Sequence, residues 1–159
     1  MDIKIAYKKG AKKLKKLGDW IDLYCYEDTF CVYGKQTLVP LGVMMKLPED
    51  YEAILAPRSS TFGKYGVLQA NGIGVIDSNY CGPDDEWKMP VVCINAAEPE
   101  MIKTQAGNLV PSGRVGTWIR AGERIAQFRI QPVMGDVELI EVDQMEGKNR
   151  GGFGSTGRE

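Results

Sequence analysis

The chain reads as one all-β domain of the jelly-roll or sandwich type that ends in a glycine-rich arm. Three features predict this. The apolar segments are short and rich in Val and Ile, and Gly, Pro, Asn and Asp interrupt them at the intervals usual in all-β folds. The last ten residues, Arg150-Gly-Gly-Phe-Gly-Ser-Thr-Gly-Arg-Glu159, cannot build a packed element, since glycine loses most backbone entropy on ordering and has no side chain to bury. With 159 residues, one domain with a substantial core is expected across 1–159.

Residues 4–17 are the one stretch with helical character, weakly amphipathic, and 1–17 form a basic segment with Lys8, Lys9, Lys12, Lys13, Lys15 and Lys16. Such a run is usually a solvated face. Strands are expected at 38–47 (LVPLGVMMKL), 51–57 (YEAILAP), 73–77 (IGVID), 91–96 (VVCINA), 124–133 (RIAQFRIQPV) and 137–142 (VELIEV). Within 124–131, Ala126, Phe128 and Ile130 fall on one face and Gln127, Arg129 and Gln131 on the other, the period-two pattern of a half-buried strand. Residues 99–118 contain Gly and Pro and read as a long inserted loop or an extra hairpin. Residues 147–159 are the arm.

Composition narrows the chemistry. The net charge of −1 gives no global signature of nucleic-acid or membrane binding. The absence of histidine removes the usual neutral-pH acid/base and the commonest transition-metal ligand. Cys25, Cys31, Cys81 and Cys93 lack the paired spacing of a zinc site, and without a signal peptide or long apolar run they read as reduced thiols in a cytoplasmic protein. Catalysis would rest on carboxylates, arginines, hydroxyls and a hard cation with oxygen ligands.

Five clusters carry those groups. GDWIDLY (18–24) holds Asp19 and Asp22. APRSSTFGKYG (56–66) places Arg58 beside Ser59, Ser60 and Thr61; arginine meets phosphate with two parallel hydrogen bonds, though a Ser-rich turn with a surface arginine has the same residues. NGIGVIDSNYCG (71–82) suggests a tight hairpin around Gly72 and Gly74 whose free backbone edge could pair with a pyrimidine rim, followed by Asp77 and Tyr80. GERIAQ (122–127) sets Gln127 on the polar face of a strand. In RGGFGSTG (150–157), an arginine, one aromatic ring and two hydroxyls on a flexible tail fit a lid over a nucleoside polyphosphate, and equally an unpacked chain end.

In this order, the five clusters resemble the sequence motifs of the trimeric dUTP pyrophosphatases (dUTPases) over roughly residues 18–157. The resemblance implies a jelly-roll-like β-barrel assembled as a homotrimer with active sites shared between subunits. It implies hydrolysis of dUTP to dUMP and pyrophosphate, with Mg²⁺ as cofactor. Asp77 matches the carboxylate that activates the attacking water, and Gln127 the glutamine that helps hold that water and the phosphates. Arg58, Ser59 and Ser60 match the phosphate-binding motif, which Lys64 and Gly66 continue. Arg150, Ser155 and Thr156 match the arm residues on the γ-phosphate, and Phe153 the ring that stacks on uracil. Asn71, Gly74, Ile76 and Asp77 match the wall around the deoxyuridine, with Tyr80 under the sugar where a ribose 2′-hydroxyl would clash. Asp22 matches the aspartate that supports Mg²⁺ through water.

The chain departs from the family pattern at Asp19-Trp20-Ile21-Asp22-Leu23, which stands where A-G-x-D-L is usual, and in the acidic PDDEWKM stretch after Gly82, whose Asp84, Asp85 and Glu86 form either a solvated loop or an added metal contact. That stretch and 99–118 resemble insertions in dUTPases of Gram-positive bacteria and their phages. Two alternatives accompany this reading: a dCTP deaminase of the same fold, and a nucleotide-binding regulator that uses 99–118 to bind a protein.

Overall fold

The computed structural model describes residues 1–95 and 98–149. Twelve strands and one short helix follow in order: β1 (Lys4–Tyr7), β2 (Ile21–Tyr24), β3 (Thr29–Val32), β4 (Gln36–Pro40), β5 (Val43–Lys46), β6 (Tyr51–Pro57), α1 (Thr61–Tyr65), β7 (Val67–Gln69), β8 (Gly74–Ile76), β9 (Lys88–Cys93), β10 (Glu98–Lys103), β11 (Leu109–Ile119) and β12 (Arg124–Pro132). The expected all-β fold is present. Its strands form four small antiparallel sheets, ordered β1-β5, β10-β11-β3, β2-β12-β6-β8 and β4-β9-β7.

Antiparallel sheets with one wet face need alternating side chains, and β12 supplies them: Ala126 and Phe128 are buried while Arg129 is exposed. The inner faces meet in one core built on Leu23, Leu55, Trp87, Met89, Ile119, Ile125 and Phe128. Trp87 packs edge-on against Phe128 with ring centroids 5.2 Å apart, a favoured aromatic geometry.

Several expectations change. Residues 4–17 are not helical: Lys4–Tyr7 pair with Val43–Lys46 instead. A four-residue strand completes a sheet that a weakly amphipathic helix could not. The expected strand 38–47 is two strands, because Gly42 at φ +68° turns the chain between β4 and β5. Residues 99–118 form a hairpin, β10–β11, whose far strand also pairs with β3. No strand covers 137–142; Val137, Leu139, Ile140 and Val142 stand exposed, paired with none of the sheets.

The hairpin expected around Gly72 and Gly74 is also different. β7 pairs with β9, whereas β8 pairs with β6. The two arms join different sheets, and the 70–73 turn bridges them with Gly72 at φ +68°. Gly74 packs so close to β6 that an added Cβ would lie 3.1 Å from Leu55 Cβ and 3.3 Å from Gln69 Nε2.

Candidate functional site

The polar residues singled out in the sequence gather into two groups at opposite ends of β6. The first surrounds the turn that leaves β6 at Pro57. Gln127 pairs in register with Asp22 on one side and Ala56 on the other, so Asp22 and Gln127 share the outer face of neighbouring strands. Gln127 Nε2 donates to the Pro57 carbonyl at 3.1 Å. Arg58 Nε donates to Asp22 Oδ1 at 2.7 Å, and Arg124 Nη1 donates to Asp22 Oδ2 at 3.1 Å. Ser59 and Ser60 lie exposed on the turn between Arg58 and α1.

This turn is anchored from beneath. The Thr61 hydroxyl, fully buried, accepts from the Arg58 amide at 3.0 Å and donates to the Ile125 carbonyl at 2.8 Å. Lys64 Nζ contacts Glu123 Oε1 at 2.6 Å. Burial raises the Glu123 carboxyl, but the Lys64 ammonium and the Arg120 amide outweigh it and hold the group below the usual carboxylate range. The same bond holds the Lys64 ammonium above its ordinary value. Gly66 ends α1 at φ +63°, where any side chain would collide with the Asn95 carbonyl. The Arg58–Ser60 turn is thus fastened to the start of β12, a rigid mount for a group that must hold anionic oxygens.

The second group surrounds β8. Asp77 and Tyr80 line an open cleft of about 400 Å³ with Leu38, Val75, Ile76, Trp87 and Lys88. The Tyr80 hydroxyl donates to the Glu86 carbonyl at 3.3 Å, and its amide donates to the Asp77 carbonyl at 3.1 Å. Asn71 and Ile73 are exposed on the turn above, while Gly74 is buried and Ile76 half-buried.

Within one protomer the two groups do not meet. Ile76 pairs with Ala53, and Asp77 continues toward the Tyr51 end of β6, whereas Arg58 leaves from the Pro57 end. From Ala53 to Arg58 the chain spans roughly 16 Å of extended strand. The expected partnership of Asp77 with Gln127 is therefore not formed inside a single chain. Arg150, Phe153, Ser155 and Thr156 lie outside the described residues.

The acidic stretch 84–86 takes neither of its expected forms in full. Asp85 Oδ2 caps the Gly82 amide at 2.6 Å. Glu86 is buried, accepting from the Gly42 amide at 2.9 Å and from Lys8 Nζ at 2.6 Å, so it secures the N-terminal segment. Among the described residues no cluster of three or more Cys, Asp or Glu could hold a metal by itself. Asp22 still suits an indirect role: each carboxylate oxygen spends one lone pair on a guanidinium and keeps another for water. Magnesium, which retains several waters and takes most of its ligands from phosphates, asks little more of a protein.

Sequence reasoning missed Arg124, the buried role of Thr61, and Gln69. All three act through tertiary contacts; the position of Arg124 beside Gln127 in GERIAQ was the only local signal.

Comparison with known proteins gives the chain's family and the likeness of its fold. A family model described as dUTPase matches residues 20–106. The SPbeta prophage-derived deoxyuridine 5′-triphosphate nucleotidohydrolase of Bacillus subtilis is 42% identical over 160 residues, covering 99% of each chain. The deoxyuridine 5′-triphosphate nucleotidohydrolase of Hydrogenobaculum is 36% identical over 140 residues, covering 86% of this chain and 82% of the relative. Among solved structures, a Staphylococcus bacteriophage 80alpha dUTPase variant with dUpNHpp superposes with a TM-score of 0.71 at 21% identity, covering 98% of each chain.

Proposed function

The chain belongs to the dUTPase family, and from that premise we infer that it hydrolyses dUTP to dUMP and pyrophosphate, acting as a dUTP diphosphatase. The observation that carries the mechanistic reading is the division of the site into two groups at opposite ends of β6. One is cationic and hydroxyl-rich, fit for phosphates. The other joins a carboxylate, a tyrosine and an exposed turn, fit for a deoxynucleoside and a water.

In this reading Arg58, Ser59 and Ser60 hold phosphate oxygens, with Gln127 beside them, and Asp77 of another copy takes a proton from the attacking water. Asp77 is exposed in the isolated protomer, so its carboxylate is open to a water, as a general base must be. Tyr80 lies flat against the deoxyribose; Asn71, Gly74 and Ile76 form the wall for the base. By their place in the RGGFGSTG motif, Arg150, Ser155 and Thr156 bind the γ-phosphate and Phe153 covers the uracil. Asp22 would support Mg²⁺ through water; when bound with the triphosphate, the ion would supply positive charge to the phosphate oxygens.

A homotrimer with shared sites follows from the same division. Two exposed features support it. Leu38 and Leu68 lie exposed on the outer face of the β4-β9-β7 sheet, beside half-buried Pro90 and Val92. Residues 137–142 extend from the body with their apolar side chains in water. A cyclic assembly would cover both. Among the described residues no helix is long and apolar enough to cross a membrane, and we place the enzyme in the cytoplasm, where its nucleotide substrate is made. The β10–β11 hairpin is a candidate contact for a protein partner, and 1–159 acts as one domain.

The deciding assay is pyrophosphate release from dUTP, dTTP, dCTP and UTP, with and without Mg²⁺, with ammonia release from dCTP measured in parallel. Mg²⁺-dependent release from dUTP alone is expected. Ammonia from dCTP would instead identify a deaminase.

A further inference from the structure

We propose that Gln69 sets base specificity by fixing the side-chain amide of Asn71, so that Asn71 presents a hydrogen-bond donor to the base. The inference rests on the reading of Asn71 as part of the base wall. Gln69 lies 91% buried beneath the 70–73 turn, against Gly74. Its Nε2 donates twice, to the Leu55 carbonyl at 3.2 Å and to Asn71 Oδ1 at 2.9 Å. The Leu55 carbonyl can only accept, so it dictates which end of the Gln69 amide faces it. With the nitrogen fixed there, the second proton of Nε2 is left for Asn71, which must turn its oxygen inward. The Asn71 amide nitrogen, with two donors and no acceptor, then faces outward.

Gln69 Oε1 is buried without a partner among the described residues. An apolar side chain of similar size would leave no unpaired oxygen but would give up both donated hydrogen bonds, including the one that holds Asn71. Outward donors fit a carbonyl at position 4 of a pyrimidine, as in uracil, and oppose the amino group that cytosine carries there. A polar group aimed at the wrong partner is an effective means of rejection. The chain from Leu55 carbonyl to Gln69 to Asn71 thus transmits a fixed backbone orientation to the base. Gln69 is a positioning residue: it touches Asn71, not the substrate.

The test compares Gln69→Glu, Gln69→Met and Asn71→Ala in the full-length protein, measuring kcat/KM for dUTP and dCTP together with Tm. Glutamate offers only acceptors, which would turn the Asn71 nitrogen inward and its oxygen outward, toward the cytosine amino group. Methionine merely releases Asn71. The expected result is a fall of at least threefold in the dUTP/dCTP ratio for Gln69→Glu, larger than that for Gln69→Met, with kcat on dUTP within threefold of the unmodified enzyme. A smaller fall, or one no greater than for methionine, overturns the proposal; a purely structural role would lower Tm in both variants and leave the ratio alone. If Asn71→Ala keeps the full ratio, the base-wall reading has failed; if it loses the ratio while Gln69→Glu keeps it, only the role of Gln69 has failed. Should Gln69→Glu not fold, side-chain amide exchange in the unmodified protein decides. Both Gln69 protons are expected to exchange slowly, one becoming fast in Asn71→Ala, and fast exchange of both from the outset overturns the proposal.

Discussion

Asp22 and Arg58 are joined at 2.7 Å across the gap between β2 and the turn after β6, and Arg124 closes on the other oxygen of the same carboxylate. One aspartate therefore holds two guanidinium groups in place before any phosphate arrives. Preorganisation of this kind removes part of the ordering cost of binding a polyanion. Asp22→Asn is expected to raise the KM for dUTP about tenfold, the effect of losing a charge-assisted bond, and to raise the Mg²⁺ concentration needed for half-maximal rate. Steady-state kinetics at varied Mg²⁺ check both; an unchanged KM would show that Arg58 needs no such support.

Asp77→Asn retains size and can still hydrogen-bond but cannot accept a proton. Turnover should fall by ~10²–10⁴ with little change in nucleotide affinity, the usual signature of a lost general base. Single-turnover rates with a separate binding measurement distinguish this from a binding defect.

The separation of Asp77 from Arg58 along β6 gives a test of shared sites. Asp77→Asn and Arg58→Gln protomers are each expected to be nearly inactive alone. Refolded together in equal amounts, they should recover up to about a quarter of native activity, because independent mixing places an intact Asp77 opposite an intact Arg58 in that fraction of sites. A site complete within one chain would recover nothing.

Cys25, Cys31 and Cys93 are buried thiols, and burial raises all three, Cys31 to about 12 with help from the neighbouring Cys93. Since the thiolate is the reactive form, alkylation at pH 8 should modify Cys81 first and leave the other three until the protein unfolds. Peptide mapping after brief iodoacetamide treatment reads this directly.

The Lys64–Glu123 pair predicts the pH dependence of the phosphate turn. Glu123 is held below its unfolded value of 4.5, so its stabilisation is present above that pH and is lost as pH falls through the lowered value. Lys64 is held above 10.5, so its share is present below that pH and is lost as pH rises through the raised value. Glu123→Gln should flatten the decline of Tm below pH 4.5 without altering the plateau near neutrality by much, since Lys64 is half-exposed and its attraction is screened. An acid limb identical to that of the unmodified protein would remove Glu123 from the account.

The sequence by itself determined the β class, the span of β6, the alternating faces of β12 and the order of the chemical motifs, because each is encoded in neighbouring residues: period-two burial, turn formers and short runs of polar groups. It could not show that Val67–Gln69 and Gly74–Ile76 join different sheets, since β propensity says that a strand forms and not which edge it meets. The helical character of 4–17 yielded to pairing with β5, a contact some forty residues away in sequence that outweighs weak local preference. Tertiary structure alone placed Arg124 on Asp22, set the Thr61 hydroxyl between Arg58 and Ile125, and put Gln69 beneath Asn71. These are hydrogen bonds of fixed direction and short reach, and only the packed sheets bring their donors within 3 Å or so of an acceptor.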